Sequence, residues 1–323
     1  MLHVVYVLSC NDSGYYPEQC LMSLHTLRKY NPDIPAYVVT DGNTRDILAG
    51  NRMDSLARYA EILTFDVPSE FNSARLRSRY LKTSLRRLVS GDFIFMDCDT
   101  LVCRPFSVRD HLSAPIGMVA DLNAPLPLSD PETLEKCRKA GFPDLQGAPY
   151  FNSGVIFVKD TPLAFRFYET WHQLWRESVQ RGCPYDQPSL CEANKRLGFP
   201  IQALSGAWNC QIKFKDSLRF LEEAFVLHYF AADGSSIFSV HEEALLKKVK
   251  TDGVDLVTER ILCSGPAALT AFFSQKTDAA LSFLASNLFS VYSEDRSTFR
   301  FAERLAVSFR KAKRAVRKFI PAK

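Results

Sequence analysis

The segment 93–99, Phe-Ile-Phe-Met-Asp-Cys-Asp, passes from four apolar residues directly to a pair of carboxylates. An apolar run of this length that ends at polar residues is typical of a buried β-strand. Residues 4–8 have the same form and end at a polar turn, and residues 116–120 end at Asp121. We therefore predict three buried strands, each followed by polar side chains.

Helical segments separate these strands. Leucines recur at helical spacing between residues 21 and 27, and residues 74–89 also form a helical segment. Between the two, residues 36–39 form another apolar run that leads to Asp41. Such alternation is typical of an open, mostly parallel sheet that binds ligands along the carboxyl edge of its strands. We predict an α/β fold of Rossmann-like type in which the polar strand ends converge.

The second half of the chain continues this pattern after a long interruption. Residues 122–150 are rich in Pro, Leu and small residues around a short helical stretch at 132–139, and a connection this long predicts a lid. We then predict a strand at 155–158, a helix at 165–179 and a late strand at 225–228.

Composition and charge narrow the class of protein. The chain has 323 residues, of which 46% are hydrophobic and 24% charged, values typical of folded globular proteins and not of disordered ones. The last 28 residues hold ten Lys or Arg and one Glu, so this tail carries +9 and the preceding chain −5. The main part of the chain is therefore not expected to bind polyanions such as nucleic acid.

The cysteines and the N-terminus predict the compartment. The nine cysteines are odd in number and lack any paired CxxC spacing, which favours a reducing, cytoplasmic setting. The opening apolar run has no basic flank and is too short for a signal peptide or a membrane span. We expect no segment of the chain to cross a membrane.

The carboxylates of Asp97 and Asp99 are spaced to share a ligand. Alternate residues of an extended segment point to the same side, so both side chains can meet one cation at the ligand-binding edge of the sheet. Two bare carboxylates there would repel each other, and a hard divalent cation such as Mn²⁺ or Mg²⁺ removes that repulsion. The alternative is a capped strand end without a metal.

In this context the chain resembles the GT-A glycosyltransferases, most closely glycosyltransferase family 8, retaining enzymes that include bacterial lipopolysaccharide galactosyl- and glucosyltransferases and the glycogenins. The resemblance covers roughly residues 1 to 235 and depends on the order and spacing of several motifs. These motifs are SRYLK with Arg79 and Lys82, FIFMDCDTLV with Asp97 and Asp99, ADLN with Asp121, YFNSGVIFV with Asn152, Ser153 and Gly154, YDQPSL with Asp186 and Gln187, WN with Trp208 and Asn209, and LHYF with His228.

The resemblance implies a role for each of these residues. Asp97, Asp99 and His228 are implied to hold Mn²⁺ or Mg²⁺, which bridges the two phosphates of a nucleotide-diphosphate sugar. Asp186 and Gln187 are the implied catalytic residues beside the anomeric carbon. The implied donor-binding residues are Ser9, Asn11, Asp12, Arg79, Asp97, Asp121, Asn152, Ser153 and Gly154.

Three of these assignments have plain structural alternatives. His228 follows an apolar run and could be a hydrogen-bonded core histidine. Asn152 could belong to a turn. The segment from Asp186 to Pro188 is also typical of a helix start, in which Asp186 caps the helix. Asp186 can serve as a cap and as a catalytic residue at the same time. The diphosphate lysine that the family has after this histidine is absent here.

The tail predicts an amphipathic helix. Its apolar residues fall at intervals of three and four and form one stripe, with Lys and Arg around the rest. The stripe comprises Phe301, Leu305, Phe309, Ala312, Val316, Phe319 and Ile320. We predict that residues 296–323 bind an anionic membrane surface, the alternative being a helix packed on the preceding domain. Without an aromatic stacking platform, nucleic-acid binding is not expected.

Together these patterns predict a metal-dependent hexosyltransferase with a catalytic domain at 1–265 and a helical extension at 266–323. The donor is expected to be UDP-hexose and the acceptor a glycan or lipid-linked molecule, in cell-surface polysaccharide or lipopolysaccharide synthesis at the inner face of the membrane. The alternatives are a non-catalytic nucleotide-sugar or glycan-binding protein, and a sugar-nucleotide nucleotidyltransferase. The loop after the first strand has no Arg or Lys, which disfavours the nucleotidyltransferase.

Overall fold

The computed structural model describes residues 2–11, 14–106, 112–124, 130–212, 214–229 and 240–263, together with five single residues of the tail, Thr298, Phe301, Arg304, Leu305 and Ser308. The predicted donor-binding residue Asp12 and most of the predicted membrane-binding tail lie outside these residues.

Among the residues that the structure describes, ten strands form two sheets. In chain order they are β1 (Leu2–Leu8), β2 (Ala36–Asp41), β3 (Glu61–Phe65), β4 (Asp92–Met96), β5 (Thr100–Val102), β6 (Ile116–Ala120), β7 (Phe151–Val158), β8 (Ile201–Leu204), β9 (Cys210–Gln211) and β10 (Val226–His228). The large sheet has the order β3-β2-β1-β4-β7-β6-β8, and the small sheet has the order β5-β10-β9.

Nine α-helices are present in the described part of the chain. They are α1 (Tyr16–Tyr30), α2 (Gly42–Ile47), α3 (Asn51–Ala57), α4 (Ala74–Leu88), α5 (Pro131–Lys139), α6 (Pro162–Gln180), α7 (Gln187–Arg196), α8 (Val240–Asp252) and α9 (Leu256–Leu262). Short 3-10 turns cover Asp121–Asn123, Gly206–Asn209 and Lys215–Phe220. None of these helices combines the length and apolar composition that crossing a bilayer requires.

The large sheet is mostly parallel, as predicted. Strand β7 is the exception, since it runs antiparallel to both of its neighbours, β4 and β6. The first residues of β7 therefore lie at the same edge as the carboxyl ends of β4 and β6. The α/β fold class with a mostly parallel sheet and flanking helices is confirmed.

Side chains on the two faces of the sheet enter two separate hydrophobic cores. In β1, Val4, Tyr6 and Leu8 pack on one face, whereas Val5 and Val7 pack on the other, as the two-residue period of a strand requires. The first core includes residues of α1 and α8, and the second includes residues of α4, α6 and α7. A strand buried on both faces explains the continuous apolar runs in the sequence.

Several sequence predictions differ in detail from the structure. The strand expected at 155–158 begins at Phe151, because Phe151 pairs with Ala120 of β6 and the carbonyl of Gly154 accepts from the amide of Asp97, the residue after β4. The turn alternative for Asn152 is therefore wrong. The edge strand β3 was not predicted, and it is only partly buried, which leaves no continuous apolar run to mark it. All nine cysteines are free thiols in the structure.

Gly206 offers a test of how tightly the 3-10 turn Gly206–Asn209 packs against Phe220 of the turn Lys215–Phe220. A Cβ at this position would lie 2.3 Å from Cε2 of Phe220, whereas a Cβ at Gly42 would meet nothing within 4 Å. Gly206→Ala should lower the free energy of unfolding by about 1–3 kcal/mol, because the ring must move. Gly42→Ala should leave it unchanged or raised by up to about 1 kcal/mol. Urea denaturation measures both, and equal effects would contradict the described packing.

Candidate active site

The predicted site residues come from the strand ends that meet at one edge of the large sheet. The pairing of β4 with β7 continues past the last paired residue, since the amide of Asp97 donates to the carbonyl of Gly154 at 2.8 Å. This bond places the carboxylate segment after β4 directly beside Asn152 and Ser153. The antiparallel direction of β7 thus brings together residues that are about 55 positions apart in sequence.

Asp97, Asp99 and His228 form a cluster whose candidate ligand atoms all lie within 4.8 Å of one another. The small sheet supplies the histidine, because β10 pairs antiparallel with β5, the strand that follows Asp99. His228 Nε2 lies 3.3 Å from Asp99 Oδ1. Burial opposes the ionisation of Asp99, but the positive charge and the hydrogen bond of protonated His228 outweigh burial and hold the pKa of Asp99 below its ordinary value.

A chain of hydrogen bonds fixes the orientation of the His228 ring. The backbone N–H of Gly154 and the amide Nδ2 of Asn209 both donate to Oδ1 of Asn152, each at 2.9 Å. Nδ2 of Asn152 donates to Asp121 at 2.9 Å. Because a backbone N–H can only donate, these bonds leave Oδ1 of Asn209 to accept from Nδ1 of His228, at 3.0 Å.

This orientation suits metal binding. With one hydrogen held on Nδ1, Nε2 of His228 faces Asp99 and can donate a second hydrogen to it. Where a divalent cation replaces that second hydrogen, the Nε2 lone pair is free to bind the cation. Two carboxylates and one imidazole nitrogen are a donor set for a divalent cation such as Mn²⁺. The side chains present therefore fit the predicted metal site, and Asn209 and Asn152 hold its histidine in the required tautomer, as outer partners of metal ligands do.

Gly154 is required by His228. A Cβ at this position would lie 2.2 Å from Cε1 of the imidazole, so any side chain would push the ring out of place. The sequence interpretation was that Gly154 allows the backbone to approach a ligand. Gly154 lines the cleft, and its lack of a side chain also leaves room for the predicted metal ligand His228.

Asp186 lies below the floor of the cleft in a network of buried charges. Arg79 Nε is 2.9 Å from Oδ1, Ser153 Oγ donates to Oδ2 at 2.8 Å, and Lys82 Nζ lies 3.5 Å from Oδ2. Burial disfavours the charged carboxylate, yet the two cations outweigh it and lower the pKa of Asp186 to about 2. The structure thus brings Asp186 and Arg79 together as an ion pair.

The two predicted catalytic residues, Asp186 and Gln187, lie at the start of α7 but have different surroundings. Asp186 occupies the position before the helix but its side chain makes no capping hydrogen bond, so the capping role is wrong although the helix start is right. Gln187, the next residue, lines the cleft and donates from Nε2 to the carbonyl of Phe151 at 3.1 Å. Gln187 also bonds Asp121, whose pKa is raised because burial outweighs this bond and that from Asn152.

At the other end of the cleft, the polar residues after β1 are held by a buried ion pair. Ser9 donates to Asp41 Oδ2 at 2.7 Å, and Arg77 Nε lies 3.0 Å from Asp41 Oδ1. Arg77 also donates to the carbonyl of Cys10. Ser9 lines the cleft, whereas the predicted donor-binding residue Asn11 is exposed.

The cleft between these groups has a volume of about 290 Å³, near the lower end of the range for small-molecule sites. Four of its lining residues come from α4, the helix that also carries Lys82; they are Ala74, Arg75, Ser78 and Arg79. Tyr16, Arg75 and Tyr185 also line the cleft and were not predicted from the sequence. The four-residue interval between Arg75 and Arg79, which places them on one helix face, was the available signal for Arg75.

Comparison with known proteins gives likenesses of fold. No protein-family model and no curated protein sequence matches the chain. Mouse xyloside xylosyltransferase 1 in its apo form is 18% identical to this chain, with a TM-score of 0.47. The match covers 73% of this chain and 99% of the xylosyltransferase chain. Galactosyltransferase LgtC in complex with donor and acceptor sugar analogs is 17% identical, with a TM-score of 0.45 and coverage of 71% and 87%.

The glycosyltransferase GlyE of Streptococcus pneumoniae TIGR4 is 14% identical, with a TM-score of 0.49 and coverage of 84% of this chain and 66% of its own. All three are glycosyltransferases, the group that the sequence motifs resemble. At this level of identity and TM-score the likenesses assign no role to individual residues, which we derive from the side chains of this chain.

The Asp186 network predicts a defined pH dependence of stability. Its folded-state pKa of about 2 lies below that of an unfolded aspartate, so its stabilisation is complete above about pH 4 and is lost as the pH falls through 2. Asp186→Asn should lower the free energy of unfolding by about 2–4 kcal/mol at pH 7. The difference from wild type should shrink between pH 4 and pH 2, as measured by urea denaturation.

Glu135→Gln is the matched control, since Glu135 pairs with Arg138 on the surface with both side chains about half exposed. This change should alter the free energy of unfolding by less than about 0.5 kcal/mol. A loss in Asp186→Asn that stays constant down to pH 2 would contradict the buried ion-pair network.

Proposed function

We propose that the protein is a metal-dependent glycosyltransferase that moves a sugar from a nucleotide-diphosphate donor, UDP-hexose by the sequence resemblance, to a glycan or lipid-linked acceptor. The observation that carries this proposal is the cluster of Asp97, Asp99 and His228 at the mouth of a cleft on the carboxyl edge of the sheet. Open α/β sheets bind ligands at this edge.

The chemistry of sugar transfer matches what the cluster can hold. Transfer breaks the anomeric C–O bond of the donor and leaves a nucleoside diphosphate, whose added charge must be stabilised. Mn²⁺ or Mg²⁺ held by the two aspartates and the histidine supplies Lewis-acid stabilisation of that charge. Arg79, at the cleft wall, adds a fixed positive charge beside it.

The remaining residues orient the two substrates in this proposal. Ser9, Asn152 and Ser153 line the cleft; Ser9 is proposed to contact the nucleoside, and Asn152 and Ser153 the donor sugar. Because Asp186 is paired with Arg79 and Lys82, its proposed part is to position Arg79 and the start of α7. Gln187 is the polar side chain proposed to face the transferred sugar, and transfer is proposed to proceed with retention.

A non-catalytic nucleotide-sugar-binding protein is the second candidate, favoured by the absence of the family's diphosphate lysine from the segment after His228. Such a protein would bind donor and metal without releasing nucleoside diphosphate. The assay below separates the two.

The tail is proposed to bring this domain to an anionic membrane surface. Among its described residues, Phe301 and Leu305 lie on the predicted apolar stripe and are 64% and 45% exposed. Exposed apolar side chains beside a net charge of +9 suit the interface of an anionic bilayer. This location is consistent with a lipid-linked acceptor in cell-surface polysaccharide or lipopolysaccharide synthesis.

Removal of either aspartate should stop the reaction. Asp97→Asn and Asp99→Asn should each lower Mn²⁺-dependent release of nucleoside diphosphate from a panel of UDP-hexoses by at least about 100-fold, because each loses a metal ligand. Asp46→Asn, a change at a surface carboxylate that is 75% exposed, should leave the rate unchanged. Substantial Mn²⁺-dependent release by both variants would refute the assignment, and NMR of the product linkage tests retention.

Removal of the tail should separate membrane binding from catalysis. The chain ending at residue 295 should turn over a detached acceptor analogue at the wild-type rate, and it should not sediment with vesicles of anionic phospholipid. The full chain should sediment with them, less so as salt screens its cations. A large fall in melting temperature on truncation would show that the tail packs on the catalytic domain.

A further inference from the structure

Lys82 is a buried cation placed against a predicted metal ligand. Its side chain is 1% exposed, and Nζ lies 3.3 Å from Oδ1 of Asp97 and 3.0 Å from Oγ of Ser153. The ammonium group also lies over the ring of Phe95, 4.7 Å from its centroid. Packing on every side holds the charge in this position.

The charges around the cluster nearly cancel before any metal binds. Three carboxylates, those of Asp97, Asp99 and Asp186, face two cations, Arg79 and Lys82. One net negative charge is left to attract a divalent cation. A cation bound by Asp97 would lie close to the Lys82 ammonium group, and both would draw on the same carboxylate.

A diphosphate changes this balance. Its negative charges add to the cluster from the cleft side, where they can offset both the divalent cation and the fixed lysine charge. A divalent cation alone would leave these groups with one net positive charge, and a diphosphate removes that excess. Without the lysine, the same ligands would attract a divalent cation alone.

We infer that Lys82 weakens the binding of a divalent cation alone and thereby couples metal binding to diphosphate binding. This inference rests on the proposed function, since it concerns the same metal site. Lys82 acts through Asp97 and is a positioning residue. Because of this coupling, the cation is retained while a diphosphate is bound and is released more readily once the diphosphate has left.

Manganese titration followed by electron paramagnetic resonance tests the inference without reference to turnover, because the signal reports free Mn²⁺. Wild-type protein should bind Mn²⁺ at least tenfold more tightly in saturating UDP than alone. Lys82→Met should bind Mn²⁺ alone at least tenfold more tightly than wild type, with a smaller gain on adding UDP. Lys82→Gln, which is also uncharged but polar, should behave in the same way and serves if the methionine variant does not fold.

Arg86→Met is the matched control. Arg86 lies one turn further along α4, is buried, and lies over the ring of Phe93 as Lys82 lies over Phe95. Its guanidinium binds the carbonyls of Val89 and Gly91 and lies away from the metal cluster. This variant loses a buried cation from the same helix and should keep both wild-type affinities for Mn²⁺.

Each result has a distinct meaning. Unchanged or weaker Mn²⁺ binding in the uncharged Lys82 variants overturns the inference and leaves the proposed function intact. Equal Mn²⁺ affinities of the wild-type protein with and without UDP also overturn it, even if no variant folds. Failure of the wild-type protein to bind Mn²⁺ with UDP at all would instead refute the proposed metal-dependent function, and the inference with it.

Discussion

Electrostatic repulsion among carboxylates is the constraint on which the site depends. Asp97, Asp99 and Asp186 lie close together at one edge of the sheet, where burial makes each charge costly. Arg79 and Lys82, both on α4, offset two of these charges. The position of α4 against the sheet, set by its contact with α6 in the second hydrophobic core, is therefore part of the chemistry as well as of the fold.

The second constraint is directional. His228 can present a lone pair from Nε2 only if Nδ1 carries the hydrogen, and the bonds through Asn209 and Asn152 to the backbone of Gly154 ensure this. Three segments distant in sequence take part: strand β7 carries Asn152 and Gly154, strand β10 carries His228, and the 3-10 turn Gly206–Asn209 carries Asn209. A polar network of this kind is stabilising only when each member has its partner.

The sequence was sufficient for the parts of the fold that follow local rules. Continuous apolar runs marked β1, β4 and β6 because strands buried on both faces carry no alternation. The spacing of Asp97 and Asp99 predicted that both would face one ligand, and the structure places them together with His228. The pairing of Asp186 with Arg79 and Lys82 could not be predicted, since it depends on how α4 and α7 pack. The direction of β7 likewise depends on tertiary structure. For this reason the sequence placed Asn152 at the start of a strand but did not predict its hydrogen bonds with Asp121, Gly154 and Asn209.

The antiparallel strand β7 also has a consequence for how the site is assembled during folding. In the large sheet β7 lies between β4 and β6, and β6 in turn pairs with β8. Contacts between β4 and β7 close a long loop, and such contacts form late because loop closure costs entropy before packing repays it. Asp97 and Asp99 follow β4, whereas Asn152, which belongs to the network that orients His228, lies in β7. Until β4 and β7 have paired, the chain therefore has no complete metal site.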